Sequence, residues 1–156
     1  MSPMTATSEG PGHVSMHAVT MGKPGLVAVG NTTVDEGWPD AAVWTSPDGR
    51  AWSRGAHDDE VFGGPYGEQM WSVVETPDGL VAAGTSGWGS DGDMAAAVWR
   101  SSDGHTWERI EQDDVFTSGR RRSVHSLILD GPGLIAGGVA RVSGTLGIGL
   151  TGTGTA

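Results

Sequence analysis

Two aspartates sit in surroundings that the chain writes twice. "SPDGRAW", Ser46 to Trp52, and "SSDGHTW", Ser101 to Trp107, place Ser, Asp, Gly and Trp at one spacing around Asp48 and Asp103. A short carboxylate beside glycine has two uses: it accepts backbone N–H groups of its own turn, or it works on a substrate or a metal. The turn chemistry favours the first use, with Ser46, Asp48, Gly49 and Trp52, and Ser101, Asp103, Gly104 and Trp107, as structural residues.

Other residue types carry further chemistry. "SDGDM" sets Asp91 and Asp93 as the opening of a calcium loop, but no distal bidentate Glu follows at the required spacing, so no metal is expected. "GRRRS" makes Arg120, Arg121 and Arg122 the one basic cluster, able to clamp a carboxylate or phosphate bidentately or to pair with acidic neighbours. Trp38, Trp88 and Tyr66 offer aromatic faces in otherwise polar stretches, suited to C–H surfaces and cations or to anchoring their own loops. His17, Trp71 and His125 recur at one position of successive units, where packing is the plainer role for a histidine. No cysteine, zinc-type histidine spacing, G-x-S-x-G elbow or phosphate loop is written, and no cofactor is expected.

Composition narrows the partners. Lys plus Arg number 9 against 19 Asp plus Glu, a formal net charge of −10, which argues against binding nucleic acid or anionic membrane through clustered cations. The opening "MSPMTATSEGPG" lacks a basic n-region and an apolar h-region, and no apolar run is long enough to span a bilayer. As written, the product is expected in the cytoplasm.

A period organises these residues. "GLVAVG" at Gly25, "GLVAAG" at Gly79 and "GLIAGG" at Gly133 stand 54 residues apart, and Trp44 and Trp99, Trp52 and Trp107, and Val61-Phe62 and Val115-Phe116 follow to within one residue. Within a unit, "HAVTM" and "LVAVG" flank "GKPG", and "AAVWTS" and "AWSR" flank Asp48-Gly49: two hairpins of apolar β-formers around Pro and Gly turns. Such short segments leave no room for a helix. A three-residue loop at Asp48 brings Trp44 and Trp52 to one face, whereas a two-residue loop separates them; the first is favoured because both then reach one core. Phe62 and Phe116, in "DDEVF" and "QDDVF", are expected to pin connectors to the sheets.

Four short strands repeating every 50 or so residues make an all-β chain of four-stranded antiparallel meander blades. The two Ser-x-Asp-Gly turns, in register with the hairpins, resemble the Asp-box, or BNR, repeat of sialidase-like β-propellers, with Gly49 and Gly104 one residue early. The resemblance covers roughly residues 14–138, about two and a half blades, and implies a β-propeller with an incomplete ring. The units are then 1–13, a disordered N-terminal segment; 14–68 and 69–122, two blade repeats; 123–138, the first hairpin of a third; and 139–156, a degenerate Gly/Thr-rich tail.

A meander places the connections 31–40, 56–68, 85–94 and 110–122 at one end, and most acidic residues lie there, including Asp35, Glu36, Asp40, Asp58, Asp59, Glu60 and Glu68. The expected role is a non-catalytic module that binds a carbohydrate or peptide ligand, or a protein, through this acidic, Trp-bearing face: Trp38, Trp88, Tyr66, Asp91, Asp93, Arg120 and Arg121. Self-association, or another propeller-bearing chain, is the expected cover for open blade edges. Asp-box propellers include sialidases, so the alternative is an incomplete sialidase-like glycoside hydrolase. That resemblance implies an arginine triad and a Tyr nucleophile, and here Tyr66 is the one tyrosine while Arg120 to Arg122 are consecutive, so their side chains alternate in direction.

Overall fold

The computed structural model describes residues 5–6, 12–34, 37–87, 94–110, 122–131, 133–142, 145–148 and 154–155. Among the described residues the chain is all-β apart from one helical turn, and the sheets are antiparallel but for one short parallel edge pairing. The first sheet holds β1 (Thr5–Ala6), β2 (Gly12–Gly22), β3 (Gly25–Val34), β4 (Asp40–Ser46) and β5 (Ala51–Arg54), in the order β1-β5-β4-β3-β2. After the helical turn α1 (Asp59–Phe62), the second sheet runs β6 (Glu68–Thr76), β7 (Gly79–Ser86), β8 (Ala95–Ser101) and β9 (Glu108–Ile110) as a plain meander. The third has β10 (Arg122–Asp130), β11 (Gly133–Val142) and β12 (Thr145–Ile148), with β13 (Gly154–Thr155) pairing β11.

Three details differ from the sequence expectation. The N-terminal segment supplies β1, which pairs parallel to β5 and extends the sheet beyond its fourth strand. The Gly/Thr-rich tail supplies β12 and β13, because β11 offers a free edge and backbone pairing makes no demand on side-chain type. The connector after β5 does contain helix: Asp58 caps it by accepting from the N–H of Glu60 at 2.9 Å, satisfying a donor that a first turn leaves unpaired.

The core lies between sheets. Along β3, Val27 and Val29 point to one face and Ala28 to the other, the period-2 alternation of a strand. Val27, Val29, Ala41 and Val43 of the first sheet pack against Met70, Val73, Ala82 and Trp99 of the second. The opposite face of the second sheet, with Val81, Ala83, Ala96 and Val98, packs in the same manner against Val124, Leu127 and Ala136 of the third. Phe62 closes the first interface from α1, and the Trp99 indole N–H donates to Val61 O at 2.7 Å, so the connector is pinned at two points. Phe116 lies outside the described residues.

Each first strand carries one extra residue. The β2–β3, β6–β7 and β10–β11 registers skip between Met16 and Ala18, Met70 and Ser72, and Val124 and Ser126, so His17, Trp71 and His125 occupy bulges. The strand opposite must approach closely there. A Cβ on Gly84 would lie 1.8 Å from Gln69 O, and Gly30 and Gly138 face the same obstruction at 1.8 and 1.9 Å.

Candidate functional site

At the turn end of the sheets the two Ser-x-Asp-Gly turns match bond for bond. Asp48 Oδ1 accepts from the N–H groups of Arg50 at 2.8 Å and Ala51 at 3.1 Å, and Asp103 Oδ1 from those of His105 at 2.8 Å and Thr106 at 2.7 Å. Ser46 and Ser101 accept from Gly49 and Gly104 N–H at 2.9 and 2.8 Å. The indoles of Trp52 and Trp107 donate to Gly49 and Gly104 carbonyls at 3.3 and 3.2 Å. The Thr45–Ser53 and Arg100–Glu108 pairings extrapolate to three-residue loops, so Trp44 and Trp52 share one face, and Trp99 and Trp107 share the corresponding one.

These bonds settle what the two carboxylates can do. Backbone donors hold both below the ordinary range; the N–H groups of Thr106 and His105 take Asp103 to about 2, and those of Arg50 and Ala51 lower Asp48. Oδ1 of each carboxylate is committed to its own turn.

The bulge residues form a row across the three sheets. The His17 and Trp71 rings stack with centroids 4.2 Å apart, and Trp71 meets His125 at 5.6 Å in a tilted arrangement. His17 Nδ1 donates to Met70 O at 2.8 Å, and the Trp71 indole donates to Thr85 Oγ1 at 3.2 Å. The row therefore joins neighbouring sheets through packing and hydrogen bonds.

No family model, curated protein or solved structure matches this chain.

The loop end is chemically different. Glu68, the first residue of β6, is only 2% exposed. Its Oε1 accepts from Ser86 Oγ at 2.7 Å and lies 3.2 Å from the Arg109 guanidinium, while Oε2 has no hydrogen-bond partner among the described residues. Burial raises its carboxyl above the ordinary value, against the lowering effects of Ser86 and Arg109. Nearby, burial also raises Asp40, opposed by His57, whose Nε2 stands 2.8 Å from Asp59 and 3.8 Å from Asp40. His57 also lines a shallow pocket with Arg54, Phe62, His105 and Trp107, with room for roughly one water molecule.

Two aromatic side chains crown this region. Trp38 is 52% exposed and Tyr66 50%. Their backbones are tied together, since Glu68 N–H donates to Pro39 O at 2.7 Å and a Cβ on Gly67 would press within 2.9 Å of the Pro39 ring. The structure thus brings Trp38, Tyr66, Asp40 and Glu68 to one locality.

Trp88, Asp91, Asp93, Arg120 and Arg121 lie outside the described residues. Among the described residues, no group of three or more His, Asp or Glu is arranged to hold a metal ion, and no helix is long and apolar enough to cross a membrane. Sequence reasoning counted Glu68 among the acidic loop residues without expecting its burial, and did not name Arg109. The available signal was a register one: one repeat back and one repeat on, the counterparts of Glu68 are Val14 and Arg122, so the position tolerates an ionisable group at the mouth of a strand.

Proposed function

We propose that this chain is an Asp-box-type module of β-propeller blades, an open arc rather than a closed ring, that binds a carbohydrate or peptide ligand at its loop end without chemical turnover. The observation that carries the ligand reading is that two half-exposed aromatic residues, Trp38 and Tyr66, lie on adjoining backbone next to a buried carboxylate, Glu68. Aromatic faces accept C–H surfaces and cations, and an acidic surround favours hydroxyl-rich or cationic partners over anionic ones. The blade reading is supported by the hydrogen bonds the two turns share and by the repeated sheet-on-sheet packing.

The test is a glycan array and a cationic-peptide array, each probed with the wild-type chain, Trp38→Ala and Tyr66→Ala. Binding that either variant loses supports the proposal; binding that both retain places the ligand elsewhere and overturns it. Hydrolysis of an aryl sialoside by the wild type, abolished in Tyr66→Phe, would replace it with the sialidase-like reading.

A further inference from the structure

The two sheet-on-sheet interfaces inside this chain are the same interface used twice. Each joins two unlike surfaces. The earlier sheet offers a receiving face, Val27, Val29, Ala41 and Val43 in the first and Val81, Ala83, Ala96 and Val98 in the second. The later sheet offers an inserting face, led by its innermost strand: β6 crosses β2, β3 and β4, and β10 crosses β6, β7 and β8. Such a head-to-tail arrangement leaves one face of each kind at the two ends of the stack.

Each end face keeps an apolar strip open where its internal counterpart is closed. On the inserting side of the first sheet, Val19 is 57% exposed, whereas Val73 and Leu127, its counterparts, are 6% and 8%. Met21, on the same face of β2, is 60% exposed, but its counterparts Glu75 and Leu129 are exposed as well, so Val19 alone marks the difference on this strand. On the receiving side of the third sheet, Val139 is 51% exposed where its counterpart Thr85 is 0%, and Ile128, farther along the same face opposite Ile135, is 54%. Trp44 and Trp52 on the first sheet are buried already, so its open strip is β2, the strand whose counterparts do the inserting.

We infer that a second copy of this chain docks head to tail, setting Val19 of its β2 against the third sheet of the first copy, where Ile128 and Val139 stand open. The strand a second copy presents, β2, is the counterpart of β6 and β10, which this chain already accommodates on its first and second sheets, and that is why the occupant is another copy. The contact is heterologous, so two copies that close on each other make a six-sheet ring, within the four to eight blades usual for propellers, and copies that do not close add end to end. A net charge of −10 on every copy opposes the contact, so added salt strengthens it. The inference rests on the blade reading above and not on the ligand.

Sedimentation velocity on the full chain from about 1 to 200 µM, at 0.15 and 0.5 M NaCl, tests this, with near-UV circular dichroism reporting the packed tryptophans. The expected result is a two-chain or longer species that grows with concentration and salt in the wild type. Val19→Asp alone and Ile128→Asp/Val139→Asp alone should each remain single chains with a wild-type near-UV spectrum. Because each variant keeps the face the other has lost, their equimolar mixture should recover a two-chain species. The milder Val19→Ser repeats the experiment should Val19→Asp lose its spectrum. A wild type that is folded yet single throughout overturns the docking, as does a Val19→Asp chain that associates normally or a mixture that recovers nothing. A wild type without an ordered near-UV spectrum overturns the blade reading along with it. Trp38→Ala, at the loop end, leaves the sedimentation unchanged whichever way ligand binding turns out.

Discussion

The two ends of the stacked sheets are built by opposite rules. At the turn end the first and second sheets repeat one another hydrogen bond for hydrogen bond, from Ser46 to Trp52 and from Ser101 to Trp107. At the loop end the units diverge: Glu68 is buried with Ser86 and Arg109 where the first sheet has Val14, and Trp38 and Tyr66 project outward. Carboxylates report the same division, lowered by backbone donors at one end and raised by burial at the other. Repetition marks what the fold needs to close its hairpins, and divergence marks where a side chain is free to serve something else.

The largest effect should come from the core that both ends share. Trp99 is fully buried, touches the first interface and donates to Val61 O, so Trp99→Ala should cost about 3–5 kcal/mol in urea unfolding. A loss below about 1 kcal/mol would mean the first and second sheets are not packed as described.

Next comes the repeated turn. Gly104 has φ +81°, and a Cβ there would lie 2.7 Å from the Pro24 ring of the first sheet. Gly104→Ala should therefore cost about 1–3 kcal/mol, combining left-handed strain with a clash between sheets. Wild-type stability in this variant would break the claim that the turn end is under tight constraint.

The carboxylates should respond to pH with opposite signs. Asp103 is held at about 2 in the fold against an ordinary 3.8, so its stabilisation is present above 3.8 and is lost as pH falls toward 2. Glu68 is raised above 4.5, so its contribution is present below 4.5 and is lost as pH rises through its folded value. Denaturation midpoints measured across pH should lose the acid-side slope in Asp103→Asn and the slope above 4.5 in Glu68→Gln. An unchanged upper slope in Glu68→Gln would show that the loop end holds this carboxylate no differently from an exposed one.

The smallest effect on stability belongs to the exposed aromatics. Trp38→Ala and Tyr66→Ala should each change unfolding free energy by no more than about 0.5 kcal/mol. Ligand affinity, measured by titration with whatever the arrays select, should fall about tenfold or more, roughly 1.4 kcal/mol. A large stability loss in Trp38→Ala would mean that this indole is a lid on its own sheet.

The strands, the hairpin turns and the shared face of Trp44 and Trp52 were legible in the sequence, because each depends on residues a few positions apart: an Asp accepting from N–H groups two and three residues on, a glycine in a turn, an alternation along a strand. The helical turn at Asp59 escaped because a connector this short carries no periodicity to read. Tertiary structure alone decided the rest. That His17, Trp71 and His125 stand on bulges follows from a register between strands, and that their rings stack follows from sheets 54 residues apart coming into contact. Glu68 is buried because Ser86 and Arg109 reach it from 18 and 41 residues away, and Val19 is open because the chain offers its inserting face nothing to enter. Local hydrogen bonds are set by neighbours along the chain; burial is set by neighbours in space, which only the assembled sheets supply.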